Sequence, residues 1–355
     1  MRRDTRGLLG CSDLWSRSLS DRMRRDTRGP LGCSDLWSRS LSDQMRRDTR
    51  GPLGCSDPWP RSLVSMLECV PNVSEGRDAA TIAALAAACG PSLLDVHTDP
   101  DHHRSVFTLA GPGFRDAEAA VAGFARAVAT HLDLVDHEGV HPRFGVLDVV
   151  PFCALDEDHD IAASAAIGFS EWVADELALP VFLYDNADPL RRSLPELRAE
   201  AFVTRAPDVG PTAPHPTLGA VAVGARPPLV ALNCWLDTND VIVARDIARR
   251  VRERDGGLAG VRALGLLLES EDLVQVSMNL VDLPVTGVEA AVSEVRRLAA
   301  KDDWEVTRVE VVGLVPTAEL ERCSTGFRAW ARLDTDITIE ARLARAARES
   351  GDEPG

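Results

Sequence analysis

The sequence predicts an α+β fold with two ferredoxin-like (βαββαβ) subdomains. Two observations predict it. The apolar patterns from residue 67 to residue 314 read strand, helix, strand, strand, helix, strand twice over, and a turn-rich passage from residue 189 to 228 separates the two runs. This order is the split β-α-β unit, whose helices cover one face of the sheet. Two such units leave a cleft between them, which is a common place for ligands.

The first run is predicted from period-2 and period-3.6 patterns bounded by turn residues. Gly90-Pro91 ends its first helix, since proline disfavours a helical residue before it. The predicted strands are 67–73, 92–97, 104–110 and 146–153, and the predicted helices are 78–89 and 115–132. A further helix at 161–177 leads to a strand at 181–184.

The second run repeats the pattern with strands at 229–235, 261–268, 273–280 and 306–314 and helices at 240–254 and 287–300. A helix at 337–347 precedes an acidic tail that frays. We therefore expect an N-terminal subdomain at 66–188, a connector with a ligand-binding loop at 189–228, a C-terminal subdomain at 229–325, and a helix and tail at 326–355.

Residues 1–65 belong to an almost perfect repeat of 22 residues, and each copy begins with Met. Cys11, Cys33 and Cys55 are three copies of one cysteine. Genuine repeat domains drift in sequence and offer a periodic apolar face, whereas these copies are nearly identical and polar. The composition predicts disorder. We interpret the tail as a start-site artefact, with the true start at Met66; a genuine interaction tail is the alternative.

The composition and charge of the chain argue against some classes of function. The chain of 355 residues carries a net charge of −16. The tail holds 13 Arg and 8 Asp, so by difference the remainder carries about −21, which argues against a nucleic-acid partner. There is no apolar run of 18 residues and no apolar N-terminal segment of the kind that a secretory signal needs. The eight cysteines form no CxxC pair, as expected in a reducing cytoplasm.

The sequence HEGVHPRFGVLDVVPF, residues 137–152, holds a candidate catalytic histidine. Pro142 and Gly145 exclude a continuing helix, so His141 and Arg143 are predicted on a tight loop that leads into a strand. An imidazole beside a fixed cation suits acid–base chemistry. Three other interpretations remain: His137 and His141 as metal ligands, a hydrogen-bonded loop histidine, and an Arg143 that only pairs with the acidic surface.

The sequence LDVHTDPDHHR, residues 94–104, leaves a strand and concentrates polar side chains. The residues in question are His97, Asp99, Asp101, His102, His103 and Arg104. HTDPDH is similar to the HxHxDH loop of binuclear metallo-hydrolases, with an aspartate in place of the second histidine. A substrate-facing loop and a plain turn are the alternatives, and the strand order lacks the further ligands that a metal site needs.

A third stretch, residues 208–226, is rich in glycine. Gly210, Gly219 and Gly224 allow a backbone to approach a ligand closely, and Arg226 offers a fork for a carboxylate. It is neither a P-loop nor a dinucleotide fingerprint, so it does not indicate phosphate binding.

Taken together, these stretches resemble the glutamate formiminotransferases, including the N-terminal part of the bifunctional formiminotransferase–cyclodeaminases. The resemblance covers residues 67 to about 320, in order. The matching segments are ECVPNVSEGR (68–77), DPDHHRSVFTLAG (99–111), GVHPRFGVLDVVPF (139–152), LPVFLYDNA (179–187), SLPELRAEAF (193–202), PDVGPT with LGAVAVGAR (207–226), LVQVSMNLVDLPVT (273–286) and VEVVGLVP (309–316).

The resemblance implies a homodimer of chains with two ferredoxin-like subdomains and an active-site groove between them. It implies transfer of a formimino group from N-formimino-L-glutamate to N5 of tetrahydrofolate, the co-substrate, giving 5-formiminotetrahydrofolate and glutamate in histidine degradation. The family's catalytic histidine lies in an HPRxG motif, which here makes it His141. Its folate-binding stretch falls on 210–226, here on Gly210, Pro211, Thr212, Gly219, Gly224 and Arg226.

The residue types fit that chemistry. A histidine with an ordinary pKa near 6.5 can take a proton from N5 and return one to the departing nitrogen. Arg104, Arg143 and Arg226 are candidates to bind the carboxylates of the donor and of the folate, and no metal is expected.

Three departures from the family are notable. His97 stands where bifunctional members carry an aspartate thought to assist proton relay; it is a second catalytic candidate, yet it cannot supply a negative charge. His103 replaces a usual asparagine. Nothing after Leu320 matches a cyclodeaminase, so a separate protein would act downstream.

Other functions remain open at the level of sequence. They are a relative that uses formylglutamate or 5-formyltetrahydrofolate, a metallo-hydrolase built on His97, Asp101, His102 and His137, and a non-enzymatic folate-binding protein.

Overall fold

The computed structural model describes residues 66–111, 114–135, 137–139, 143–155 and 159–350. Three sequence predictions lie outside these ranges: the repeat tail 1–65, the candidate catalytic His141, and the end of the acidic tail at 351–355. Across the described ranges, every helix is too short or too polar to cross a bilayer.

The first half of the described chain builds one seven-stranded sheet. Its strands are β1 (Leu67–Cys69), β2 (Asn72–Val73), β3 (Leu93–Asp99), β4 (Arg104–Gly111), β5 (Leu147–Ala154), β6 (Val181–Asp185) and β7 (Val221–Ala225). Its helices are α1 (Ala79–Ala88), α2 (Phe114–His131), α3 (His159–Leu177) and α4 (Leu194–Glu200).

The strands of this sheet lie in the order β3, β4, β1 with β2, β5, β7, β6. Neighbours from β3 to β5 are antiparallel, whereas β5, β7 and β6 run parallel. The single strand predicted at 67–73 is divided into β1 and β2 at Pro71, which has no N–H to donate to the ladder.

The second half builds a four-stranded antiparallel sheet in the order β11, β8, β10, β9. Its elements are β8 (Val230–Leu236), α5 (Val241–Val251), β9 (Val261–Leu268), β10 (Leu273–Leu280), α6 (Val288–Ala300) and β11 (Val306–Val312). Three helices follow: α7 (Thr317–Arg322), α8 (Thr325–Ala331) and α9 (Ile339–Ser350). The prediction of an α+β chain with two sheets is confirmed.

Each sheet buries an apolar core under the helices on one of its faces. In the first half, Phe107 and Phe152 of the sheet pack with Phe124 of α2, whose ring lies 4.7 Å from that of Phe107. In the second half, Leu232 and Val276 belong to a separate core formed with α5 and α6. The opposite faces of both sheets carry polar side chains, which are described below.

The range predicted as a connector contributes regular structure. It contains α4 and also β7, whose five residues are all buried between β5 and β6. A parallel strand buried on both faces is short, apolar and not alternating, so it has no period-2 signature. The division into domains stays a prediction.

The start of α4 had a signal in the sequence. In Ser193-Leu-Pro-Glu196, the Glu196 carboxylate accepts hydrogen bonds from the backbone N–H of Ser193 at 2.7 Å and from its hydroxyl at 2.8 Å. This is the S-x-x-E capping box, with a proline in the first turn. The helix matters because it carries Arg198.

Candidate functional site

Polar side chains of the two sheets approach each other at several points, and we call the region between these side chains the inter-sheet cleft. The β3–β4 hairpin reaches the second half at two points. Asp101 accepts hydrogen bonds from the backbone N–H of Ser270 at 3.1 Å and from its hydroxyl at 2.6 Å. The side-chain nitrogen of Gln275 lies 2.9 Å from Nε2 of His102. Burial lowers the pKa of His102, so its ring is neutral and its Nε2 accepts from the Gln275 amide.

His97 on β3 faces Glu310 on β11 across this cleft. Their closest atoms, Nε2 of His97 and Oε1 of Glu310, are 4.0 Å apart, and the side chains are 20% and 21% exposed. Both are therefore within reach of a small molecule. The structure places His97, the second predicted catalytic residue, opposite a carboxylate that the sequence analysis did not single out.

Arg104 on β4 is held by a buried carboxylate. Its guanidinium donates to Oδ2 of Asp148 at 2.6 Å and to Oδ1 of Asn72 at 2.9 and 3.0 Å. Arg198 of α4 donates to the same Asp148 carboxylate, at 2.7 Å to Oδ2 and 3.3 Å to Oδ1. Two guanidinium groups thus share one fully buried aspartate. Guanidinium groups of this kind are well suited to bind a carboxylate.

The same aspartate positions the start of β5, directly after the predicted catalytic loop. The backbone N–H of Phe144 donates to Oδ1 of Asp148 at 2.5 Å, and the Arg198 guanidinium lies 4.6 Å from the centre of the Phe144 ring. Arg143 precedes Phe144, and its Nη1 lies 3.4 Å from Nε2 of His137. Burial and the neighbouring arginines lower the pKa of Arg143 to about 10, which still leaves it charged at neutral pH.

The residues of the candidate folate-binding stretch lie in different parts of the structure. Pro211 and Thr212 are exposed on a loop, and Gly210 adopts φ +83 beside the end of α3, where a Cβ would lie 2.7 Å from the carbonyl oxygen of Leu179. A Cβ at Gly224 would lie 2.4 Å from the Tyr184 ring. Gly224 therefore packs against protein.

Gly219 supports the segment that follows His141. It has φ +78, and a Cβ there would lie 2.4 Å from the carbonyl oxygen of Phe144. The backbone N–H of Val146 donates to the Leu218 carbonyl at 3.0 Å, and that of Ala220 donates to the Phe144 carbonyl at 3.1 Å. A glycine is needed here because two backbones touch and the left-handed conformation disfavours a side chain.

Arg226 lies close to a second buried carboxyl group, Glu68 of β1. Burial raises the pKa of Glu68 to about 7, although the Arg226 guanidinium and the Cys153 thiol oppose the shift. Burial acts to lower the pKa of Arg226, but the acidic groups around it, chiefly Cys153, Tyr184 and Glu68, raise it overall. Of the predicted ligand residues, Arg104 and Arg226 therefore each lie beside a buried carboxyl group.

The sequence analysis did not identify three residues of the candidate site, namely Asp148, Arg198 and Glu310. Asp148 interrupts an otherwise apolar strand, and a charged residue between buried neighbours indicates a paired or functional group. The capping box at Ser193 and Glu196 indicates the start of α4, and Arg198 lies in that helix. Glu310 follows Arg308 by two residues, so both point to one face of β11. The sequence does not show which residue faces them across the cleft.

The four residues of the metallo-hydrolase alternative do not converge. His97 faces Glu310, Asp101 binds Ser270, His102 binds Gln275, and the His137 ring lies 4.1 Å from that of His103. Within the described ranges, no group of three His, Cys, Asp or Glu side chains is arranged to hold a metal ion. This alternative has no support.

Comparison with known proteins gives a consistent result for both halves. Residues 66–226 match the N-terminal subdomain of the formiminotransferase domain, and residues 231–343 match the formiminotransferase domain. The chain belongs to the formiminotransferase family. Its two sheets thus correspond to the two matched parts, and the junction between matches falls just after Arg226, at the start of β8.

Relatives of this formiminotransferase-family chain include single-function and fused proteins. It is 36% identical to a glutamate formimidoyltransferase of Streptococcus pyogenes over 72% of this chain and 90% of that protein. It is 34% identical to a glutamate formimidoyltransferase of Thermoplasma acidophilum over 80% and 99%. It is 38% identical to the formimidoyltransferase-cyclodeaminase of Sus scrofa, over 72% of this chain but only 51% of the pig protein.

Proposed function

We propose that this chain transfers the formimino group from N-formimino-L-glutamate to N5 of tetrahydrofolate, giving 5-formiminotetrahydrofolate and glutamate, a step of histidine degradation. One observation carries the proposal: both halves match the formiminotransferase domain, and relatives named glutamate formimidoyltransferase are covered over 90% and 99% of their lengths. The chain is then a one-carbon group transferase with tetrahydrofolate as co-substrate.

The reaction needs one proton removed and one supplied. N5 of the folate attacks the formimino carbon and loses its proton, the bond from that carbon to the glutamate nitrogen breaks, and the departing nitrogen gains a proton. His141 is our candidate to carry this proton. Support comes from its neighbours: Asp148 binds Phe144, three residues after His141, and Gly219 packs against the same segment. A proton shuttle has to be positioned within hydrogen-bond reach of the reacting atoms, and these contacts hold the described segment that follows it.

The cationic side chains suit substrates that carry carboxylates. Arg104 and Arg198 both donate to the buried Asp148, which holds the two guanidinium groups in one place. We infer that this pair, with Arg143, receives a carboxylate of the donor, and that Arg226 and the exposed Gly210–Thr212 loop contact the folate. A bidentate guanidinium is the usual protein partner of such a group.

We further infer that both halves are ferredoxin-like, on the support of the order β3, β4, β1, β5 in one sheet and β9, β10, β8, β11 in the other. The active-site groove then lies between them. We also infer a cytoplasmic homodimer, and a cyclodeaminase that acts on the product, on the support of the relative named formimidoyltransferase-cyclodeaminase.

The test is a steady-state assay of the full chain with tetrahydrofolate and either formiminoglutamate or formylglutamate, following the folate product. We expect turnover of the formimino donor, and a loss of 100-fold or more in kcat for His141→Ala, the usual contribution of a proton shuttle being roughly 10² to 10⁴. His131→Ala, at the exposed end of α2, is the matched control. Near-normal turnover in His141→Ala would remove this histidine from the mechanism.

A further inference from the structure

Glu310 is the acidic side chain that the second sheet directs at His97. It lies on β11, and its Oε1 is 4.0 Å from Nε2 of His97 on β3, with both side chains about one fifth exposed. A gap of this size is too long for a direct hydrogen bond. The partial exposure of its side chain leaves the Glu310 carboxylate accessible to a ligand.

The Glu310 carboxylate is held in place from its own sheet. Its Oε2 accepts hydrogen bonds from the side-chain nitrogen of Asn233 at 3.1 Å and from the indole N–H of Trp235 at 3.2 Å. Its Oε1 accepts from Arg308 at 2.9 Å, and the Arg308 guanidinium lies 4.1 Å from the centre of the Trp235 ring. Burial acts to raise the pKa of Glu310, but these hydrogen bonds and charges lower it overall, so the group is ionised at neutral pH.

One acceptor position of this carboxylate points to the cleft. Each carboxylate oxygen has two lone pairs. Oε2 uses both on Asn233 and Trp235, whereas Oε1 accepts from Arg308 and, within the described part of the chain, from no second donor at hydrogen-bond distance. The remaining lone pair of Oε1 is available to an N–H donor that enters from the side of His97.

The proposed donor carries such a group. A formimino group on the glutamate nitrogen is an amidine, which is a strong base and therefore an amidinium at neutral pH. Its charge is spread over a planar N–C–N unit with several N–H donors, as in guanidinium, and pairs well with a carboxylate. A formyl group in the same place is a neutral amide. His97 itself supplies no negative charge.

We propose that Glu310 determines donor specificity: its carboxylate binds the amidinium of the formimino donor from the second sheet and thereby selects formimino over formyl compounds. The inference rests on the proposed function and deepens it. Because the cation is already present in the ground state, the interaction strengthens binding of substrate and transition state alike. Removal of the charge therefore raises KM for the formimino donor more than it lowers kcat.

The test measures binding with two unreactive analogues of equal shape, 2-guanidinoglutarate as the cation and N-carbamoylglutamate as the neutral compound. Calorimetric titration of the full chain should show a preference for the cation. In Glu310→Gln the cation should lose affinity on the order of 10- to 100-fold, as for a charged hydrogen bond, with the neutral analogue changed less than about threefold. Glu305→Gln, the same change at an exposed position just before β11, is the control.

A second variant tests the charge itself. His97→Asp in the Glu310→Gln background returns a carboxylate to the same gap from the other sheet, and should restore most of the preference for the cation. If Glu310→Gln does not fold, Glu310→Asp replaces it, and the cation must again lose affinity relative to the neutral compound. Equal losses for both analogues, or none, would overturn the inference. Absence of wild-type turnover with formiminoglutamate and tetrahydrofolate would instead overturn the proposed function.

Discussion

Four strands of the first half follow the same order as the four strands of the second half. The two halves nevertheless place different kinds of polar group where they meet. Toward the cleft, the first half buries ionised or ionisable groups: Asp148 between Arg104 and Arg198, and Glu68 beside Arg226. The second half buries neutral polar groups, Asn233 and Gln275. It keeps the charge of Glu310 partly exposed.

This difference has an energetic consequence. A buried charge without its partner costs several kcal/mol, whereas a neutral or exposed group costs far less. Substitutions of the buried charged groups named above should therefore be the more destabilising, and the following tests address that comparison from the largest expected effect to the smallest.

The largest effect is expected for Asp148→Asn. The change keeps the shape but removes the negative charge that two guanidinium groups share, so we expect a loss of about 3–5 kcal/mol in the free energy of unfolding. Urea titration measures it. The matched control is Glu176→Gln, which breaks the exposed Arg126–Glu176 pair of the same half (3.0 Å) and should cost less than about 1 kcal/mol. Equal costs for the two variants would refute the distinction.

The next effect is a pH dependence that Glu68 contributes. The pKa of Glu68 rises from its usual 4.5 to about 7 on folding, because burial disfavours the carboxylate. The folded state therefore holds the proton more tightly, so this contribution to stability is complete below pH 4.5 and is lost as the pH rises through 7. The difference corresponds to about 3 kcal/mol. In Glu68→Gln, stability measured at pH 5 and at pH 8 should lack this decrease.

The same substitution at one glycine in each half tests how closely other atoms pack against that glycine. Gly219 and Gly256 both have positive φ, of +78 and +90. A Cβ at Gly219 meets the Phe144 carbonyl oxygen at 2.4 Å, whereas a Cβ at Gly256 meets nothing within 4 Å. We expect Gly256→Ala to cost about 1 kcal/mol from backbone strain alone and Gly219→Ala at least about 2 kcal/mol. Thermal unfolding of both variants gives the comparison, and kcat should fall in Gly219→Ala alone.

The smallest effect is expected at the contact between the halves. Ser270→Ala removes the hydroxyl that donates to Asp101 at 2.6 Å, but the backbone N–H of Ser270 still donates to the same carboxylate at 3.1 Å. Because the pair is exposed and half of it survives, the cost should be about 0.5 kcal/mol. A loss above about 2 kcal/mol by urea titration would mean that this hairpin contact is a major link between the two sheets.

The sequence alone determined much of this protein, and each success has a local cause. The repeated order of strands and helices followed from periodicity, because a helix and a strand bury their apolar residues at different intervals. Asp78 marks the start of α1 because its side chain accepts from the backbone N–H of Ala80. The family was recognisable from its motifs, and both the family and the α+β class with two sheets are confirmed.

Only the tertiary structure decided what each polar residue faces. Arg104 was a candidate to bind a substrate carboxylate, and only the structure shows that Asp148, 44 residues away along the chain, positions it. Gly219 looked like a ligand-binding glycine, yet it accommodates the Phe144–Gly145 backbone. Glu310 and His97 are more than 200 residues apart along the chain, and only the tertiary structure brings them to within 4.0 Å of each other. Local patterns report which side of its own element a residue occupies, whereas the partner on the other side comes from packing between distant segments.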